Sequence, residues 1–69
     1  MDNALYTNVA KYAEKRGMSI RQVELKAGLG NGTIGKWRVS SPTVKSLQAV
    51  ARVLGVTVDE LLAPDEDAE

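Results

Sequence analysis

Residues Ser19–Val39, SIRQVELKAGLGNGTIGKWRV, carry the pattern that decides the fold. Ser19 followed three residues later by Gln22 has the form of a capping box, in which the hydroxyl and the amide side chain satisfy two backbone N–H groups that a helix start leaves unpaired. Val23 and Ala27 then form an apolar i,i+4 stripe, and Gly28 follows where helices commonly end on a left-handed residue. A second helix is expected from Asn31 to Arg38, with Gly30 as its N-cap and with Ile34 and Trp37 on the buried face. Asn31, Gly32, Gly35 and Lys36 are then left facing outward. Two short helices across a glycine turn make a helix-turn-helix pattern.

The flanks extend the same logic. In residues 3–16, Leu5, Val9, Tyr12 and Ala13 share one face, the spacing of an amphipathic helix, with Gly17 to end it and Met18 as the apolar contact of a C-cap. Val39-Ser40-Ser41-Pro42 reads as a loop, because proline disfavours helix at the residue before it and is itself suited to a helix start. Val44, Leu47, Val50, Ala51 and Leu54 then repeat as an apolar stripe closed by Gly55. Thr57 and Glu60 form a second capping box for a short fifth helix, with Val56 and Leu61 placed as its hydrophobic staple. The expectation is an all-α, compact five-helix domain over residues 1–63, followed by an acidic tail, residues 64–69, in disordered form.

A chain of 69 residues has room for one domain. With no cysteine and no histidine, disulfides, thiolate zinc sites, Cys nucleophiles and imidazole acid–base chemistry are excluded, so neither an enzyme, a metal site nor a cofactor is expected. No apolar run reaches the roughly 18 residues of a membrane span and no signal-peptide pattern opens the chain, so the expected setting is cytoplasmic. The formal net charge of zero conceals an asymmetry. Residues 1–58 hold all nine Lys and Arg against Asp2, Glu14 and Glu24 alone, a balance of +6, and residues 59–69 carry the compensating −6. For phosphate attraction the local patch decides, not the sum.

From about Leu5 to Leu62 the chain resembles the Cro and phage-repressor (lambda-repressor-like, XRE-type) helix-turn-helix family. The resemblance rests on the turn Ala27-Gly28-Leu29, the run Asn31-Gly32-Thr33-Ile34-Gly35-Lys36-Trp37, the helix entry Ser41-Pro42-Thr43 and the ending Leu54-Gly55-Val56-Thr57-Val58-Asp59-Glu60-Leu61-Leu62. It implies a bacterial or phage-encoded DNA-binding regulator, an apolar core role for Trp37, and a weak homodimer formed through Val58, Leu61 and Leu62. Two positions depart from the family. Ile20 stands where Gln usually grips a phosphate, leaving that contact absent or to Arg21. Glu24 stands where a small residue is usual near the crossing of the two helices, so either the crossing is altered or Glu24 turns outward.

In a helix-turn-helix the exposed N-terminal half of the second helix reads base edges in the major groove, while flanking groups anchor phosphates. The expected base readers are Asn31, Thr33 and Lys36, with Gly32 contributing close approach. Asn pairs with adenine, Lys donates to guanine, and Thr offers a hydroxyl or touches a thymine methyl. Asn31 and Thr33 are also residue types that cap helices. For Gly32 and Gly35 two readings stand, room for close helix packing and a bare backbone near the groove floor. Ser19, Arg21, Lys26, Arg38, Ser40, Ser41 and Lys45 are the phosphate candidates, being hydroxyls and bases clustered around the motif. The expected partner is double-stranded DNA with an inverted-repeat operator, and the expected function is transcriptional regulation, most simply repression. The alternative is a protein-interaction module on the same fold, antitoxin-like or an adaptor, which the zero net charge, Ile20, Glu24 and the glycine-rich third helix support.

Overall fold

A computed structural model describes residues 4–64 of the chain. Among them every regular element is helical: α1 (Ala4–Lys15), α2 (Ile20–Ala27), a one-turn 3-10 segment (Gly35–Arg38), α3 (Val44–Leu54) and α4 (Val58–Leu62). The five expected helical segments are present, but only four are α-helices.

The local signals act as their chemistry dictates. Ser19 Oγ accepts from Gln22 N–H at 3.1 Å while Gln22 Oε1 accepts from Ser19 N–H at 2.9 Å. Thr57 and Glu60 repeat the exchange at 3.0 and 2.8 Å. Thr43 caps α3 by accepting from Ser46 N–H. At the far ends, Gly28 and Gly55 adopt φ of +76° and +71°, values that a side chain disfavours, and their N–H groups bond back to the last helical carbonyls.

The third segment does not follow the expected course. Asn31–Ile34 form a turn and the 3-10 helix starts only at Gly35, because Gly32 takes φ +85° and no right-handed helix passes through that conformation. Gly30 therefore caps no helix. Its carbonyl instead accepts from Thr33 N–H within the turn.

These elements enclose one core built from Val9 and Ala13 of α1, Val23 of α2, Ile34 and Trp37, Val50, Ala51 and Leu54 of α3, and Leu61 of α4. α2 packs chiefly on α3, while α1 lies against α4 and the 3-10 segment. Trp37 is 3% exposed and so occupies the core position expected of it. Three side chains depart from expectation. Val44 is 70% exposed and lies outside the buried stripe of α3. Leu61, expected on a dimer face, is 0% exposed and fills the core of its own chain. Glu24, for which an outward turn was one expectation, is buried at 2% exposure.

One polar side chain closes the bundle. Asn8, 4% exposed, donates through Nδ2 to the carbonyls of Leu61 at 2.8 Å and Ala63 at 2.7 Å. The last carbonyls of a helix have no partner within it, and Asn8 supplies one from α1 across more than fifty residues of sequence. The acidic residues Asp65–Glu69 and the first three residues lie outside the described residues.

Candidate nucleic-acid interface

The candidate base-reading segment is held from below by a carboxylate. Glu24 Oε1 accepts from Gly32 N–H at 3.2 Å and Oε2 accepts from Ile34 N–H at 3.0 Å, so both oxygens of a buried side chain on α2 are spent on the backbone of the turn. Burying a carboxylate without partners is prohibitive. Here the partners are two amides and the Arg21 guanidinium, whose Nη1 lies 3.5 Å from Oε1. The glycine at position 32 makes the arrangement possible, since its positive φ lets two N–H groups converge on one carboxylate.

Upon this support Asn31, Gly32 and Lys36 are exposed, and Thr33 and Gly35 are half-buried. A Cβ built at Gly32 or Gly35 meets no atom within 4 Å, which removes close helix packing as the reason for either glycine. Gly32 is required by conformation, whereas Gly35 has no positive φ and leaves open space above the backbone. The two therefore respond oppositely to alanine. Gly32→Ala is expected to lower stability by about 1–2 kcal/mol, the penalty of a left-handed L-residue. Gly35→Ala is expected to raise it by roughly 0.5–1 kcal/mol through the less flexible unfolded chain. Urea midpoints moving in the same direction for both would contradict this assignment.

The phosphate candidates fall into two groups. Ser19, Arg21 and Lys26 lie on or beside α2, all exposed, with the Ser19 oxygen engaged in capping and Arg21 steered by Glu24. Arg38, Ser40 and Ser41 line one open groove after the 3-10 segment, together with Pro42 and Leu62. Lys45 is exposed near the start of α3. The Arg38 guanidinium sits over the Tyr6 ring, 5.1 Å from its centroid, a cation–π contact that limits the rotamers of an otherwise exposed side chain.

Sequence reasoning marked Glu24 at the helix crossing but missed its bonds to the turn, and it missed Tyr6 beside Arg38. A glycine-rich turn needs acceptors for its amides, and Glu24, one residue beyond Val23 on the buried side of α2, is the acid close enough to provide them. Tyr6 gave no comparable signal, since only the folded chain brings it to Arg38.

Residues 9–61 match the model of the helix-turn-helix family. The chain belongs to the Cro and phage-repressor helix-turn-helix family. Among solved structures it is similar to a hypothetical transcription factor, NHTF, from Neisseria, at 20% identity and a TM-score of 0.84, covering 93% of this chain and 76% of that one. The N-terminal DNA-binding domain of SinR from Bacillus subtilis is similar at 22% identity and a TM-score of 0.83, covering 93% and 97%. SinR in complex with DNA is similar at 24% identity and a TM-score of 0.78, covering 86% and 98%. At these identities the likeness establishes the fold. No curated protein sequence matches the chain. The family is a helix-turn-helix one, and its fold is shared by the DNA-binding domain of SinR. The matched region contains every base-reading and phosphate candidate, while Asn8 and Ala63, two members of the clasp between α1 and α4, lie just beyond its ends.

Proposed function

We propose that this helix-turn-helix protein is a sequence-specific, double-stranded-DNA-binding transcriptional regulator that reads the major groove through Asn31, Thr33 and Lys36. The observation that carries the reading is the exposure of Asn31 and Lys36 on a segment braced against α2 and flanked by exposed bases, within a body whose charge is +6 over residues 1–58. Gly32 and Gly35 let the backbone approach the bases, and Ser19, Arg21, Lys26, Arg38, Ser40, Ser41 and Lys45 anchor phosphates. SinR, whose fold this chain shares, binds DNA, which supports the same use here. The protein acts in the cytoplasm as a repressor that occludes a promoter, with residues 1–63 as the DNA-binding domain and residues 64–69 as a tail.

A weak homodimer on an inverted repeat completes the reading. With Leu61 committed to the core, its apolar contact falls to Leu62, 53% exposed, and half-buried Val58. A dimer places two recognition segments one helical turn apart on the duplex.

Selection from a random duplex library at moderate salt tests the whole proposal. An enriched inverted repeat with half-sites about one turn apart is the expected result. An unenriched pool whose binding fades with salt leaves only electrostatic adhesion and transfers the assignment to a protein partner. On the selected site, Lys36→Ala is expected to lose about 1–3 kcal/mol of discrimination at the bases it reads. Arg21→Ala is expected to weaken all sequences alike and reduce the salt slope by about one. Parent-like binding by both variants would overturn the site assignment.

A further inference from the structure

The base-reading turn is shaped by one ion that the proposed DNA contacts do not use. We infer that Glu24 is a specificity-positioning residue: its buried carboxylate holds residues 31–36 in the turn-plus-3-10 form and couples them to Arg21. The inference rests on the reading of residues 31–36 as the DNA-reading segment.

Three observations carry it. The two carboxylate oxygens are divided between Gly32 N–H and Ile34 N–H, which bracket Thr33 and adjoin Asn31. In a continuous α-helix capped by Gly30, Ile34 N–H would bond to the Gly30 carbonyl and Gly32 N–H would be one of the first-turn amides left without a partner. With Glu24 present, the acceptor lies on α2 instead, and the positive φ of Gly32 turns the chain toward it. The same Oε1 that receives Gly32 N–H also faces Arg21 Nη1, so a phosphate-anchoring candidate and a base-reading candidate share one anionic hub. At 2% exposure the hub is shielded from water and ions, and its geometry is correspondingly stiff. Side chains at 31, 33 and 36 depart from the backbone at angles set by this bracing. A different brace therefore presents a different set of groups to the bases, even though Glu24 itself reaches no base.

The experiment uses the full chain with Glu24→Ala and Glu24→Gln. The first removes both acceptors and leaves a small residue at the helix crossing; the second keeps the volume but retains one acceptor oxygen and no charge. Amide hydrogen exchange, read without DNA, is expected to quicken at both Gly32 and Ile34 by about tenfold or more in Glu24→Ala, in keeping with loss of a charge-assisted bond. In Glu24→Gln it is expected to quicken at one of the two, while Val50 and Leu54 in α3 keep their protection. Library selection then reads function. The parent's enriched half-site is expected to change at the bases facing residues 31–36 in both variants, with discrimination there falling about fivefold or more. Their affinity for random duplex is expected to stay within about twofold, because the phosphate anchors remain.

Parent-like exchange at Gly32 and Ile34 would remove the brace. Altered exchange with an unaltered enriched site would reduce Glu24 to a structural residue. If Glu24→Ala does not fold, Glu24→Gln decides by the same criteria. Failure of the parent to enrich any site would refute the DNA-reading proposal and, with it, the specificity role, whereas the exchange measurement judges the brace independently.

Discussion

Asn8→Asp is expected to remove most of the stability of the domain. The change keeps the size and shape of the side chain but replaces its donor with an anionic acceptor. Asn8 Nδ2 now donates to two carbonyls at 2.8 and 2.7 Å in a site only 4% exposed, so the substitution sets a carboxylate against two oxygens where water does not compensate. Breaking a buried polar arrangement in this way costs about 3–5 kcal/mol. A native protein this small commands roughly 5 kcal/mol in total. Asn8→Ala is the control: it leaves the two carbonyls without a donor but adds no repulsion, for a loss of about 1–3 kcal/mol. Urea unfolding followed by the fluorescence of Trp37 orders the three proteins as parent, Ala, Asp. A parent-like midpoint for Asn8→Asp would show that the donor of Asn8 contributes nothing beyond the volume of its side chain.

Leu61→Ala carries the second large effect and separates core from interface. Its side chain is 0% exposed within one chain, so truncation opens a cavity in the core and is expected to remove about 2–5 kcal/mol. For a domain of this size each kcal/mol lowers the melting temperature by about 4–8 °C, which puts the shift at roughly 8 °C or more. That shift must be the same in dilute and concentrated solution, because the lost contacts lie inside one molecule. Leu62→Ala, at a residue 53% exposed, is expected to change chain stability by less than about 0.5 kcal/mol. A melting shift for Leu61→Ala that vanishes on dilution would return Leu61 to a dimer face.

Both positions show how far a linear reading extends. The helix starts at Ser19 and Thr57 and the stops at Gly28 and Gly55 were legible because each is an exchange between residues at most a turn apart. The buried faces of α1 and α3 were legible for the same reason, since period alone brings Val9 to Ala13 and Leu47 to Val50 and Leu54. Period also misled. It placed Val44 in the stripe of α3, yet Val44 stands at the first turn, where the stripe has run past the edge of the core and the side chain is 70% exposed. The family resemblance grouped Leu61 with Leu62 on a dimer face, although neighbours in a helix point about 100° apart and one faces the core while the other does not.

The candidate site divides along the same line. Asn31, Thr33 and Lys36 were identifiable from side-chain chemistry and their place after a glycine turn. The conformation that presents them was not, because the sequence marks Glu24 only as unusual at the helix crossing, and its carboxylate meets the amides of Gly32 and Ile34 only once α2 is packed against the turn.

By itself the sequence determined the all-α class, the caps, the glycine stops, the helix-turn-helix and the basic body, all of which follow from interactions among near neighbours or from composition. Only the tertiary structure decided that the third segment is a turn and a 3-10 helix instead of an α-helix, that Leu61 is core, and that Asn8 and Glu24 are structural polar groups. The polar contacts depend on backbone groups many residues away, whose unpaired state in a buried site selects the partner, and the burial of Leu61 on side chains equally distant in sequence, a choice of which the linear order carries no record.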